Sequence, residues 1–198
     1  MKRLVFIFAF LLCCSAIQVQ ARGIMTMCGA GTSSLTCSRA TQQAPTDMVT
    51  RGTYQEMGSY AGYQYIASQY VYGGTTGTLC SVDISLIKVG SPTGNAEVLI
   101  YTDNSDVPDS GTSCGTIDVS TLSDVVFEWK TLSCNVPQTN GAKYWIVIKK
   151  TNLDTTNYIR TGVDYACTTE LMMRSSDAAS WTGLWTTQCA MGRLYILE

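Results

Sequence analysis

The chain has 198 residues, with 13 Lys and Arg, 15 Asp and Glu, nine Cys and no His. Without imidazole there is no Ser-His-Asp or Cys-His chemistry and no His-ligated zinc. The formal charge of -2 and pI near 5.1 argue against nucleic-acid binding. A charged fraction of only 14% beside 45% hydrophobic residues fits a folded domain with a core of its own.

Residues 1–21 open with Lys2-Arg3, continue through an apolar run from Leu4 to Leu12 and close on Val19-Gln20-Ala21. A cationic start, a short apolar centre and a small-x-small end predict a secretory signal peptide. The run is about half the ~20 residues a membrane anchor needs. Cys13 and Cys14 raise lipidation, but Leu12 stands where a lipoprotein signal has a small residue. No later stretch is apolar enough to span a membrane. The end, Gly192 to Glu198, reads as a closing strand with no sorting signal or hydrophobic tail. The expected location is secreted, cell-surface or periplasmic.

Past the signal stand Cys28, Cys37, Cys80, Cys114, Cys134, Cys167 and Cys189. In an oxidising compartment such usage predicts disulfides. With no CxxC pair and no His, a metal cluster is the weaker reading. Spacing suggests Cys28–Cys37, Cys114–Cys134 and Cys167–Cys189, leaving Cys80 either bonded to a partner chain or, as its apolar run favours, a buried thiol. Connectivity does not follow from sequence alone.

Residues 22–63 are rich in Gly, Ser, Thr and Met with poor apolar periodicity, and predict a loosely structured Cys-containing arm that could be tied down where it meets a domain at 64–198. Between 54 and 72 stand Tyr54, Tyr60, Tyr63, Tyr65, Tyr70 and Tyr72. These are an adhesive surface or, better supported by the strand preference of Tyr, strand residues. From residue 64, runs rich in Val, Ile, Tyr and Thr predict strands near 64–72, 79–89, 96–102, 125–132, 143–150, 157–165, 169–174 and 192–197. Breaks fall at Gly73-Gly74, Ser91 to Asn95, Asp103 to Gly111 and Asn140-Gly141. Residues 103–124 read as a long crossover loop pinned by Cys114. About eight short-looped strands without a helical stripe predict an all-β, antiparallel β-sandwich.

The order of features from 64 onward resembles bacterial secreted and surface jelly-roll modules of the choice-of-anchor type, themselves broadly similar to carbohydrate-binding modules. The matching pieces begin with a strand ending at Gly73-Gly74, then Val82 to Gly90 and Pro92-Thr93-Gly94. The strand Ala96 to Tyr101 follows, then an acidic turn holding Pro108, Trp129, and Tyr144-Trp145-Ile146-Val147-Ile148. Tyr165, Ser180-Trp181 and a closing strand complete it. The resemblance covers about two-thirds of the chain and implies a jelly-roll fold. It carries no catalytic motif, so function comes from it only by analogy.

Two places have suitable chemistry for a site. Asp103, Asp106 and Asp109 lie within seven residues and could offer oxygens to calcium, or equally form a solvated turn bonded to its own backbone. No cofactor is otherwise called for. The flat rings of exposed Trp residues can stack on the C–H faces of sugars. Trp129 and Trp145 lie in apolar strands and are expected in the core. Trp181 and Trp185 lie in a loop-like segment and are the candidates for ligand binding: Trp181 matches a position of the resembled modules and could equally pack inward, and Trp185 is the better ligand candidate. Glu56, Glu97, Glu128 and Glu170 form no recognisable catalytic pair. The expected function is a non-catalytic binding or adhesion module for a glycan or surface protein. The alternative is a structural surface or filament subunit that associates with itself or another protein.

Overall fold

The computed structural model describes residues 37–39, 54–58, 62–73, 76–164, 171–185, 189–190 and 192–197. The expected signal peptide, Cys28 and Cys167 lie outside them, as do the side chains of Trp185 and Cys189.

The described residues form two antiparallel sheets. In chain order the strands are β1 (Cys37–Arg39), β2 (Tyr54–Met57), β3 (Tyr65–Val71), β4 (Gly77–Val89), β5 (Asn95–Asp103) and β6 (Pro108–Asp118). After a single 3-10 turn at Val119–Thr121 come β7 (Glu128–Gln138), β8 (Lys143–Lys149), β9 (Tyr158–Asp164), β10 (Met172–Ser175), β11 (Thr182–Trp185), β12 (Cys189–Ala190) and β13 (Gly192–Leu197). One sheet runs β1-β13-β4-β9-β12, with β7 also on β4 and β2 also on β9. The other runs β11-β10-β3-β8-β5-β6.

Period-two alternation assigns each strand residue a face. Ile66 and Tyr70 of β3, Val98 and Ile100 of β5, and Ile146 and Ile148 of β8 point inward. They meet Leu79, Val82, Ile84 and Leu86 of β4, with Ile159 and Leu194, in one closed core. Each such side chain contributes roughly 1.5–3 kcal/mol on burial. Burial leaves Tyr70 well above the ordinary phenol range, and Gln138 accepts its proton at 2.9 Å. Asn140-Gly141 makes the β7–β8 turn, where Gly141 takes a positive φ of 76° that a side chain would resist.

Two expectations change. Residues 103–124 are not a crossover loop. A tight turn after Asp103 returns the chain as β6, eleven residues paired along β5. Only Pro108, Cys114 and Ile117 of β6 are buried, so this edge strand has no apolar run to reveal it. Cys80 is not a free thiol, and Cys37 does not pair with Cys28: Cys37 and Cys80 are bonded to each other. β1 pairs with β13, which pairs with β4, so a contact of long sequence separation brings the two sulfurs together. Cys114–Cys134 is bonded as the spacing suggested and links β6 to β7. Of the region read as an arm, the described residues include β1 and β2, which join a sheet, and Met57 of β2 is wholly buried.

Candidate functional site

The six-stranded sheet turns a second set of side chains away from the core. On that outer face, β3 places Tyr65, Ala67 and Gln69. Neighbouring β8 places Lys149, Val147 and Trp145 opposite them, and β5 places Glu97, Leu99 and Tyr101 beyond. An outward face of an antiparallel sheet is ordinarily wet. Here Ala67, Trp145 and Val147 are all at 0% exposure. Tyr65, Leu99, Tyr101, Leu171, Met173 and Trp181 cover them. Burial on both faces explains why Tyr144 to Ile148 reads as an unbroken apolar run. Trp145 is buried as expected, but in this second layer and not between the sheets.

Three aromatic rings form the partly exposed top of the layer. Trp181 meets Tyr65 edge-on at 6.2 Å between centroids and 73° between planes. It meets Tyr101 at 6.3 Å and 78°. Edge-to-face pairs of this kind add about 0.5–1.5 kcal/mol beyond area burial. The indole Nε1 of Trp181 is shielded from solvent and has no hydrogen-bond partner among the described residues.

The loop before Trp181 is held by two side chains. Ser175 Oγ accepts from the Asp177 and Ala178 amides at 3.2 and 2.9 Å. Asp177 Oδ1 accepts from the Ala179 and Ser180 amides at 2.9 and 3.0 Å and from Ser175 Oγ at 3.1 Å. The Ser180 and Ala179 amides, then the Ser175 hydroxyl, hold the Asp177 carboxyl below the usual carboxylate range.

Beside the rings, Lys149 Nζ donates to Glu97 Oε2 at 3.3 Å. Glu97 raises the Lys149 ammonium above its ordinary value, with the nearby Tyr65 phenol adding to the effect. Burial pushes the Tyr101 phenol up, and the neighbouring Tyr65 phenol reinforces the shift.

At the far end of the same face the acidic turn closes over Trp145. Trp145 Nε1 donates to Asp103 Oδ1 at 2.7 Å. Gln69 Nε2 donates to Asp103 Oδ1 at 3.0 Å and to Asp106 Oδ1 at 2.9 Å. Lys143 Nζ also donates to Asp106 Oδ1. The Lys143 and then the Gln69 bonds hold the Asp106 carboxyl down. Ser105 and Asp106 take positive φ of 56° and 64°, as the reversal requires. Asp109 lies apart, exposed on β6. Asp103 and Asp106 thus share protein donors rather than a vacant oxygen cage, and among the described residues no three acidic or Cys side chains gather as a metal group.

The structure therefore places Trp181 among rings on the outer face, while Trp185 is described only by its backbone pairing with Met172. Trp129 is not in the core: it is half-buried at the start of β7, with the Arg193 guanidinium 3.9 Å over its ring. Sequence reasoning missed Tyr65, Tyr101 and the Glu97–Lys149 pair as parts of one patch. Their alternation was visible, but only the β3-β8-β5 register makes them neighbours.

No protein-family model matches the chain, and no curated protein matches it. Among solved structures, the chain is similar to the crystal structure of the cysteine protease and lectin-like domains of Cwp84, a surface layer associated protein of Clostridium difficile. The identity is 13% and the TM-score 0.47, over 75% of this chain and 37% of that one. The likeness thus spans well under half of the other protein's length.

Proposed function

We propose that this protein is a non-catalytic extracellular binding or adhesion module that holds glycans on the outer face of its six-stranded sheet. The observation that carries the reading is the convergence of Tyr65, Tyr101 and Trp181 beside the Glu97–Lys149 pair. Aromatic faces supply stacking for sugar C–H surfaces, and the pair supplies both hydrogen-bond donors and acceptors. Disulfides at Cys37–Cys80 and Cys114–Cys134 suit an oxidising compartment. The resemblance to choice-of-anchor modules points the same way by analogy. A glycosidase would need two facing carboxylates. Glu56, Glu97 and Glu128 are instead each paired with a cation, namely Arg160, Lys149 and Lys130. The test is a glycan and polysaccharide array probed with the purified protein and with Trp181→Ala, with calcium and with a chelator. Binding that Trp181→Ala abolishes supports the reading, and silence of a folded, oxidised protein on every glycan ends it.

A structural subunit remains the second reading, favoured by β6. This strand ends the six-stranded sheet, and Asp109 to Ser113 are exposed along it. An edge of that kind can accept a strand from another copy. Concentration-dependent assembly in sedimentation velocity, lost on Thr112→Pro, is the expected sign.

A further inference from the structure

We propose, on the basis of the glycan reading, that Glu97 and Lys149 make this site selective for neutral sugars with adjacent hydroxyls and turn away uronic and other anionic sugars. Lys149 stands directly opposite Tyr65 on one side and Glu97 on the other. Its ammonium has three N–H donors and spends one on Glu97. The Glu97 carboxylate likewise keeps most of its acceptor capacity, with Oε2 alone engaged. A donor and an acceptor therefore stand side by side, 3.3 Å apart. Adjacent pyranose hydroxyls fit that spacing: one accepts from Lys149 while its neighbour donates to Glu97.

The pair is loose enough to take a ligand. Its side chains are 37% and 28% exposed, so the ion pair itself contributes little to stability. The contrast is Glu56, which receives two bonds from Arg160 at 3.0 and 2.7 Å and one from the Tyr158 hydroxyl, with Tyr54 stacked on the guanidinium. That cluster is saturated. At the candidate site the hydroxyls of Tyr65 and Tyr101 have no hydrogen-bond partner among the described residues, so each can donate to and accept from a ligand. The charges of Glu97 and Lys149 sum to zero, so the pair offers an anion a dipole and no net positive charge. An approaching sugar carboxylate would meet Glu97, which acts as a repulsive element against the wrong ligand.

The test uses the full secreted chain at physiological salt, titrated with cellohexaose, mannohexaose and polygalacturonate. The proteins are wild type, Glu97→Gln, Lys149→Met and Trp181→Ala. Wild type is expected to bind a neutral oligosaccharide and to ignore polygalacturonate. Glu97→Gln should keep the amide oxygen as acceptor, hold neutral binding within about tenfold, and gain about tenfold or more for polygalacturonate. Lys149→Met should lose neutral binding by a similar factor without gaining the anion. Wild-type preference for polygalacturonate overturns the proposal. So does an unchanged neutral-to-anionic ratio in Glu97→Gln while Trp181→Ala abolishes binding, a result that leaves the glycan reading intact. No binding of either class by protein with native Trp emission overturns both.

Discussion

The ring of Tyr101 lies against the backbone of Gly111, its direct partner across β5 and β6. A methyl group at residue 111 would fall 2.1 Å from both Cδ1 and Cε1 of the ring. No real Cβ contact is that short, so the glycine is what allows the ring to lie across the edge strand. The ring in turn provides one of the two edges on which Trp181 rests. Gly111→Ala must therefore push Tyr101 off its seat. The expected result is a loss of about 1–3 kcal/mol, the usual cost of overpacking, and a changed near-UV circular dichroism from the displaced rings. An unaltered aromatic spectrum would contradict the packing described for this layer.

Asp103 is the acceptor on which the other end of the layer depends. Trp145 and Gln69 are both nearly sealed from water, and their donors converge on its Oδ1. Asp103→Ala leaves the indole N–H without a partner, so a loss of about 1–3 kcal/mol is expected by urea denaturation. Asp103→Asn preserves an acceptor oxygen and should cost less. Because Lys143 and Gln69 already serve Asp106, calcium or a chelator should leave the wild-type melting temperature unchanged.

The sandwich was legible in the sequence because most strands bury at least one face in Val, Ile, Leu or Tyr. β3, β4, β5, β8, β9 and β13 stand close to where alternation and turn residues put them. β6 was hidden for the opposite reason: an edge strand whose residues largely face water can be written in Ser, Thr and Gly. The pairing of Cys37 with Cys80 was hidden because it depends on β1 lying beside β13, a contact no local pattern encodes. Trp181 and Trp185 stood out together as aromatics in a polar segment, with Trp185 preferred, and nothing local marked Trp181 as the one that meets other rings. Its partners Tyr65 and Tyr101 were not legible, since they lie on strands separated by β8 and are brought to the same Trp181 ring only by the folded sheet.

The loop that presents Trp181 should respond to acid. Asp177 has a depressed carboxyl pKa in the folded chain, so its stabilisation is fully present above the unfolded value near 3.8 and is lost as pH falls through the lower folded value. Trp emission should therefore hold steady from neutral pH down to about 4 and change only below it. Asp177→Asn keeps an oxygen for the Ala179 and Ser180 amides and should remove this acid step. Asp177→Ala should give the altered emission at neutral pH. A transition centred near pH 6 would assign the loop's stability to some other group.

The two disulfides should differ in cost, against the simple expectation from loop length. Cys114–Cys134 closes a separation of 20 residues and joins β6 to β7, strands of different sheets, with Cys114 itself packed in the core. Both ends are fixed by long pairings with β5 and β4, so replacing both with Ser should cost about 3 kcal/mol. Cys37–Cys80 closes 43 residues, and chain entropy alone assigns it about 4 kcal/mol. Yet β1 is three residues and has one neighbouring strand among the described residues. Without the bridge, β1 can leave β13 while the body stays folded, and the freedom it gains in the native state offsets much of the freedom gained in the unfolded one. Cys37→Ser with Cys80→Ser should thus cost less than the other pair in denaturant midpoints. Hydrogen exchange should show the loss of protection confined to β1 and its partner residues Tyr195–Leu197. A global loss near 4 kcal/mol would make β1 an integral strand rather than a tethered one.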